Sequence, residues 1–394
     1  MCDTPASLIA ELAKYDDHSL TSNTEVRKSA LALSRKLSAA LDEPNTRAWE
    51  AALSPFSNLA IRIAIDLNLF TLLAMQPGPV SSSFLTSTTT RDPALIRRIL
   101  RVLGSIGFVQ ETSSDSWSPN AVTHAMTSST MASWYRLMWD FALTSAVKGP
   151  ECLRSSSHRI SEDLIDGFVQ CAFGSSRNSF SILQTMPALH HDFDEAMAGT
   201  GTGQGEPWFV WYPVEERLLT GLENSAPLLV DVGGGKGHEI QAFCRAFPSR
   251  GQLVLQDMAD VIDNVGSDSL DPEIAKQSHD FFTSQPVHGA RAYFLRHILH
   301  DWPDSACHRI LKGLRDAMRP GYSRLLLHEL VLPDTGATRF QCEMDMCMMT
   351  FNWGLERSRS QWVTLLTEAG FESVTFWQGH PDSDGIIEAI IGSE

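Results

Sequence analysis

Positive charge is scarce in this sequence. Against 47 Asp and Glu it sets 31 Lys and Arg, a net charge of −16, which argues against a nucleic-acid partner bound through phosphate electrostatics. No C-x-x-C pair occurs. The seven cysteines (Cys2, Cys152, Cys171, Cys244, Cys307, Cys342 and Cys347) are scattered and odd in number, a pattern of reduced thiols and not of a disulfide framework. No apolar run approaches the roughly 20 residues that cross a bilayer. The opening MCDTPASLIAELAKYDD lacks a basic segment followed by an apolar one, so no signal peptide is read. The expectation is a soluble, cytoplasmic protein with no membrane partner. Apolar residues make up 43% and charged residues 20% of 394, an ordinary globular composition with room for two or three domains.

What is present is most informative at Leu228–Gly237, LLVDVGGGKG. An apolar run ends in Asp231 and a glycine cluster, and a helix-compatible run (HEIQAFCRAF) follows. That is a strand feeding a tight turn into a helix, where an open α/β sheet binds an adenosine-containing cofactor. The glycines at 233, 235 and 237 come close to G-x-G-x-x-G without matching it, because His238 stands where the last small residue belongs. A second strand, GQLVLQD, ends in Asp257, 20 residues after Gly237. An acidic group at that spacing suits the two ribose hydroxyls of an adenosine. Asp280 and Phe281 in HDFF offer a carboxylate for an exocyclic amine and a ring for a flat base. ARAYFLRHILHDW then reads as a strand that ends in an ionisable cluster.

In that order, VDVGGGKG, LQD, HDFF, LRHILHDWPD, HELVLPD and NWGLERS resemble the S-adenosylmethionine-dependent O-methyltransferases of the caffeate and flavonoid type. FVWYPVEERL and HILHDWPDSACHRIL look most like the fungal branch acting on secondary metabolites. The motifs span 208–394, with a weaker likeness over 50–125. The resemblance implies an α/β fold: a Rossmann-like methyltransferase sheet behind a mostly helical winged-helix dimerisation domain. The expected segments are a helical arm (1–45), the winged-helix-like domain (46–125), a helical substrate-pocket and connecting region (126–220) and the catalytic domain (221–394). The implied cofactor is S-adenosylmethionine, held by Asp231, Gly233, Gly234, Gly235, Asp257, Met258, Asp280, Phe281 and Arg296. The family often has Lys where Arg296 stands. The implied partners are a small aromatic substrate and a second copy of the chain.

Residues 1–50 read as amphipathic helix. Ile61–Leu69, IRIAIDLNL, alternates as a strand would, but the resemblance implies helix and that reading is adopted. Asp92-Pro93 begins a helix over Ala94–Leu103 that stops at Gly104, with Asp92 as cap and Pro93 at the first helical position. GFVQE, SSDS and WSPN follow as a hairpin. Winged helices often bind DNA, and Arg97, Arg98 and Arg101 share this helix. Residues 46–125 nevertheless hold six Arg against five Asp or Glu, which leaves a solvated face as the better account. Residues 126–220 are rich in Met and aromatics, Trp139 among them, a pattern open to plain core or to an acceptor pocket. Gly199–Gly205, GTGTGQG, reads as a loop.

Methyl transfer to a phenol needs a sulfonium donor, a positioned oxygen and a base. A phenol has a pKa near 10, and neutral imidazole can take its proton as the oxygen attacks. His300 in HDWPD is the expected base. The resemblance implies that Glu329 and Glu356 flank it and fix its tautomer, with Asp301 as an auxiliary polar group. It also implies that Met348 clamps the acceptor ring and Asn352 bonds a neighbouring hydroxyl. No metal is expected: there is no H-E-x-x-H helix or thiolate pair, and on a continuous strand His297 and His300 would point to opposite faces. Two other functions stay open. The same fold can bind the cofactor without consuming it and direct a dehydration or pericyclic rearrangement through its fixed positive charge. A non-catalytic DNA-binding regulator is the other, with the charge balance against it.

Overall fold

The computed structural model describes residues 4–203, 206–266, 270–379 and 383–392. The chain divides into two compact units, Met1–Met126 and Thr127–Glu394.

The first unit is helical, with a three-stranded sheet in the order β1-β3-β2: β1 (Val80–Ser81), β2 (Gln110–Ser113) and β3 (Ser116–Ser118). Of the alternating stretch at 61–69, residues 61–66 end the helix Pro44–Asp66, Leu67 and Asn68 form a turn, and Leu69 opens the next helix, Leu69–Ala74. The buried residues Ala60, Ile61 and Ala64 of the first share one helical face, and Arg62 pairs with Asp66 one turn on. The apparent strand period is thus two helical faces read in projection. The next predicted helix runs Pro93–Ser105, one residue past Gly104. Asp92 Oδ1 accepts from the Ala94 and Leu95 amides at 2.7 and 3.2 Å. Arg97 donates to Asp115 at the hairpin turn, 3.0 Å away. A charge offered as a phosphate contact is therefore engaged within its own unit.

The second unit is built on seven strands: β4 (Leu229–Val232), β5 (Leu253–Asp257), β6 (Ile274–Ser278), β7 (Ala292–Arg296), β8 (Arg324–Glu329), β9 (Ser373–Gln378) and β10 (Gly385–Ile390). Their order is β6-β5-β4-β7-β8-β10-β9, with only β10 antiparallel to its neighbours. The central strands read as almost continuous apolar runs because both faces are covered. Alternate residues feed two cores: Val230, Val232, Tyr293, Leu295, Leu325 and Leu327 on one face, Leu229, Ala292, Phe294 and Leu326 on the other. Strand order reverses between β4 and β7, which makes the crevice at their carboxyl ends the switch point where such sheets take ligands.

Ahead of the sheet lies a continuous helical run, Ser129–Ser155, interrupted by a π turn at Met138–Leu143. Three further helices follow, Phe168–Phe173, Ser179–Gln184 and Pro187–Gly203. The glycine-rich segment read as a loop is helical through Gly203, and Gln204 and Gly205 lie outside the described residues. Its glycine serves packing: a Cβ at Gly199 would overlap the Thr130 side chain of the facing helix. Arg136 and Asp192 join the same two helices. The FVWYPVEERL segment is pinned to the sheet by Glu388, buried in β10, which accepts from Tyr212, Arg217, Arg324 and Trp377. Among the described residues no helix is long and apolar enough to cross a membrane.

Candidate active site

The glycine turn leaves β4 and enters the His238–Ala246 helix. Gly233, Gly235 and Gly237 all have positive φ (74, 58 and 80°), a region that side chains with a Cβ seldom adopt. Space differs along the turn. A Cβ on Gly234 would lie 2.5 Å from Asp231 Oδ2, whereas one on Gly235 would meet nothing within 4 Å. Gly235 thus borders open space, and Asp257 stands beside it, accepting from the Gly235 amide at 2.8 Å and the Met258 amide at 2.7 Å. Burial raises the Asp257 carboxyl, opposed by those two amides. Asp231 is buried with Oδ2 lacking a hydrogen-bond partner. Its pKa is pushed up to about 8 by burial, then by Glu239 and Asp257, against the pull of Arg296. Arg296 closes the β7 end 3.6 Å from Glu239. Asp280 Oδ1 accepts from the Phe282 amide, and Phe281 and Phe282 pack around Trp302 at 6.1 and 4.9 Å between centroids. The turn, the unpartnered Asp231 Oδ2 and this aromatic corner fit an adenosyl sulfonium cofactor.

The turn that carries His300 follows β7. The strand ends at Arg296, His297 takes a left-handed φ of 52°, and Leu299–Asp301 form one 3₁₀ turn. This corrects the opposite-face expectation for His297 and His300: their rings stack, 5.2 Å apart and 26° inclined. The glycine turn and the His300 turn also touch, since a Cβ on Gly233 would come 2.7 Å from Ile298 Cδ1.

His300 is buried among carboxylates drawn from separate segments. Its Nδ1 lies 2.8 Å from Glu356 Oε1 and 3.9 Å from Glu329 Oε2, and its Nε2 lies 3.7 Å from Asp301 Oδ1. Glu329 Oε1 meanwhile accepts from the Ile298 and Leu299 amides, which holds it against the turn. Burial alone would lower the proton affinity of His300, but Glu356, Asp301 and Glu329 outweigh it and raise the pKa well above the ordinary value. Burial, partly offset by His300, pushes Asp301 up to about 7. Glu329 Oε2 and Glu356 Oε2 are buried with no hydrogen-bond partner.

The segment carrying Glu356 is locked to this turn through its backbone. Leu355 N–H donates to the His300 carbonyl at 2.7 Å, and a Cβ on Gly354 would overlap that same carbonyl. Arg357, 1% exposed, donates to the Leu299 and Trp302 carbonyls at 2.9 Å each. The motif NWGLERS already contained this brace, but an arginine in sequence reads as surface until its burial is known.

Met348 lies in an apolar cluster with Leu137, Phe141, Val169, Ile182 and Phe351, packed against by Met138, Met344 and Cys347. Trp139 is half-buried in the π turn and outside that cluster. Asn352 is fully buried; its Oδ1 accepts from the Ser179 amide at 3.0 Å, and its Nδ2 has no hydrogen-bond partner. Burial pushes the Cys347 thiol up to about 12, and the charges of Glu356 and Asp301 add to the rise.

Comparison with known proteins decides the family. An O-methyltransferase domain matches residues 160–372, and an O-methyltransferase dimerisation domain matches residues 49–134. The chain is 38% identical to O-methyltransferase penC of Penicillium thymicola over 391 residues, 98% of this chain and 97% of that one. The chain belongs to the O-methyltransferase family. A second O-methyltransferase, asqD of Emericella nidulans, is 42% identical over 340 residues, covering 85% and 87% of the two chains. Among solved structures, a pericyclic reaction enzyme superposes with a TM-score of 0.87 at 25% identity, and LepI in complex with S-adenosylmethionine with 0.86 at 25%. Each pairing covers 98% of both chains. The protein is thus an S-adenosylmethionine-dependent O-methyltransferase with a helical dimerisation domain and a Rossmann-like sheet.

Proposed function

We propose that this O-methyltransferase methylates a phenolic or enolic hydroxyl of a small, polyketide-like aromatic metabolite, with His300 as general base. The observation that carries the reading is the 2.8 Å contact between His300 Nδ1 and Glu356, backed by Glu329, beside the glycine turn. The bound cofactor supplies an electrophilic methyl group on a sulfonium. Asp257 takes the ribose hydroxyls, Asp280 and Phe281 take the base, and the glycine turn, Met258, Asp231 and Arg296 take the rest. Glu356 holds His300 Nδ1, which leaves Nε2 to accept the hydroxyl proton. General-base help of this kind is worth about 10²–10⁴-fold in rate. Asp301 and Glu329 stabilise the imidazolium that forms. Met348 packs against the acceptor ring, Asn352 Nδ2 donates to an acceptor oxygen, and Trp139 lines the same helical region. In segment terms, 1–45 is an arm, 46–125 the dimerisation domain, 126–220 the pocket and connecting region, and 221–394 the catalytic domain.

His300→Ala or His300→Gln should lower kcat by about 10²–10⁴-fold while cofactor Kd stays near wild type. Product and S-adenosylhomocysteine, followed by mass spectrometry, measure this, and unchanged turnover would remove the base. The likeness to a pericyclic reaction enzyme favours a second reading, in which the cofactor is bound and not consumed. Product formed without S-adenosylhomocysteine would establish that reading.

The enzyme works as a cytoplasmic homodimer on a small molecule, without nucleic acid or membrane. Supporting the dimer, Trp49, Leu53 and Phe56 stand 70, 55 and 62% exposed at helical spacing within the matched dimerisation domain. Trp49→Asp should raise the monomer fraction in sedimentation. A wild-type chain that sediments as a monomer at micromolar concentration would exclude the dimer.

A further inference from the structure

A second histidine–carboxylate pair lies behind the first and has no part in the chemistry above. His297 Nε2 is 2.7 Å from Asp384 Oδ2, and the two side chains are 17% and 10% exposed. The backbone at His297 is left-handed, a conformation disfavoured for a residue with a Cβ. That conformation turns the imidazole onto the face of His300. The His297 ring also stacks with His328 at 6.3 Å and 23°.

Among the described residues, the groups around this stack come from several elements. His300 faces Glu356 from the loop before Ser358, Glu329 from β8 and Asp301 from its own turn. Asp345, on the Arg339–Thr350 helix, accepts the Glu356 amide, and the charges of Glu356 and Asp301 reach Cys347 on that helix. His297 faces Asp384 ahead of β10 and His328 from β8, with Arg296 preceding it on β7. Burial would raise the Asp384 carboxyl, but His297, His328 and Arg296 hold it far below the carboxylate range. His328 is pushed down to about 3, by burial first. Asp384 is therefore the anion of this second group.

Three carboxylates around one imidazole create a difficulty for a base, because they favour the form that already carries a proton. A positive charge against the open face of the ring is the physical counterweight. We propose that His297, held 2.7 Å from Asp384 and stacked on His300, is a positioning residue for His300: it fixes the ring plane by stacking, and any proton shared within the His297–Asp384 pair opposes a second positive charge on the neighbouring imidazole. The inference rests on the reading of His300 as the base. His297 also bears electrostatically on Asp301 and Glu329.

The test is a pH titration of the full chain labelled with ¹³Cε1-histidine and followed by NMR, with the His300 signal identified by its absence in His300→Ala. Removing the neighbouring imidazole in His297→Phe, which keeps a ring in the stack, should raise the His300 midpoint by about one pH unit. Asp384→Asn, which takes the carboxylate from His297, should move it the same way by less. A midpoint that falls, or that stays in place in both variants while each still binds S-adenosylhomocysteine, would overturn the proposal. Loss of melting temperature alone would likewise mark a purely structural pair. The two readings fail separately. If His300→Ala keeps wild-type turnover, the base falls and the role of His297 falls with it. If His300→Ala is inactive and the midpoints stay, only His297 is misassigned.

Discussion

The two halves of the proposed site are built by different means. The cofactor half is mostly main chain: a glycine turn of contiguous residues, with Asp257 held by two backbone amides. The catalytic half is mostly side chain, one imidazole among carboxylates brought from positions 301, 329 and 356. A site made of backbone is set by local geometry and is spoiled by adding atoms. A site made of side chains is set by packing and charge, and is spoiled by removing them. The two halves touch at Gly233 and Ile298, yet they should respond to opposite kinds of substitution.

The sharpest separation comes from Gly234→Ala. Its added methyl would lie 2.5 Å from Asp231 Oδ2 and 2.6 Å from Leu255 Cδ1. Overpacking of this kind costs about 1–3 kcal/mol, so cofactor Kd measured by calorimetry should weaken about tenfold or more. An unchanged Kd would mean that the turn does not carry the cofactor. Glu356→Gln removes charge from the other half and keeps the shape. Hydrogen bonds to charged groups contribute about 1.5–3 kcal/mol, which predicts a kcat loss of about 10-fold or more with Kd unmoved.

The same substitution has a signed effect on the pH profile. His300 takes its proton more readily than an ordinary imidazole because Glu356, Asp301 and Glu329 outweigh the burial that opposes charge. Its neutral form therefore appears only as pH rises through a midpoint above about 6.5, and wild-type kcat should climb across that range. With Glu356 neutralised, the acid limb should move to lower pH. A limb that stays fixed would assign the titration to another group. The smallest effect is expected from Asp257→Asn, which keeps an acceptor oxygen but loses its charge. Cofactor Kd should rise about tenfold, near 1.4 kcal/mol, with the pH limb unchanged.

The difference between the halves also governs what could be read from the sequence. The frame of the proposed cofactor half was legible because strand, turn and helix are consecutive, and Asp257 ends the second strand. His300, Glu329 and Glu356 were named from resemblance, and their convergence depends on β8 lying beside β7 and on the loop before Ser358 folding back. The His297 pair was not legible. A continuous strand through position 297 would put it opposite His300, and only the left-handed turn after Arg296 brings the rings together. Asp384 comes from 87 residues farther on, with no motif to mark it. The helical Gly199 segment failed for a related reason: its glycine answers to Thr130 on another helix and not to its own neighbours.

Asn352 gives the site an inheritance that its chemistry does not require. Its carboxamide oxygen receives the first amide of the Ser179–Gln184 helix, and four residues later the same chain supplies Glu356. Ser179 Oγ ties the next carbonyl back, donating to Phe351 at 2.8 Å. A rearrangement of the helices around Ser179 is thus transmitted to the carboxylate that orients His300 through one short rigid span. If His300 is the base, a substitution that repacks those helices should alter the proton step as well as the fit of the acceptor.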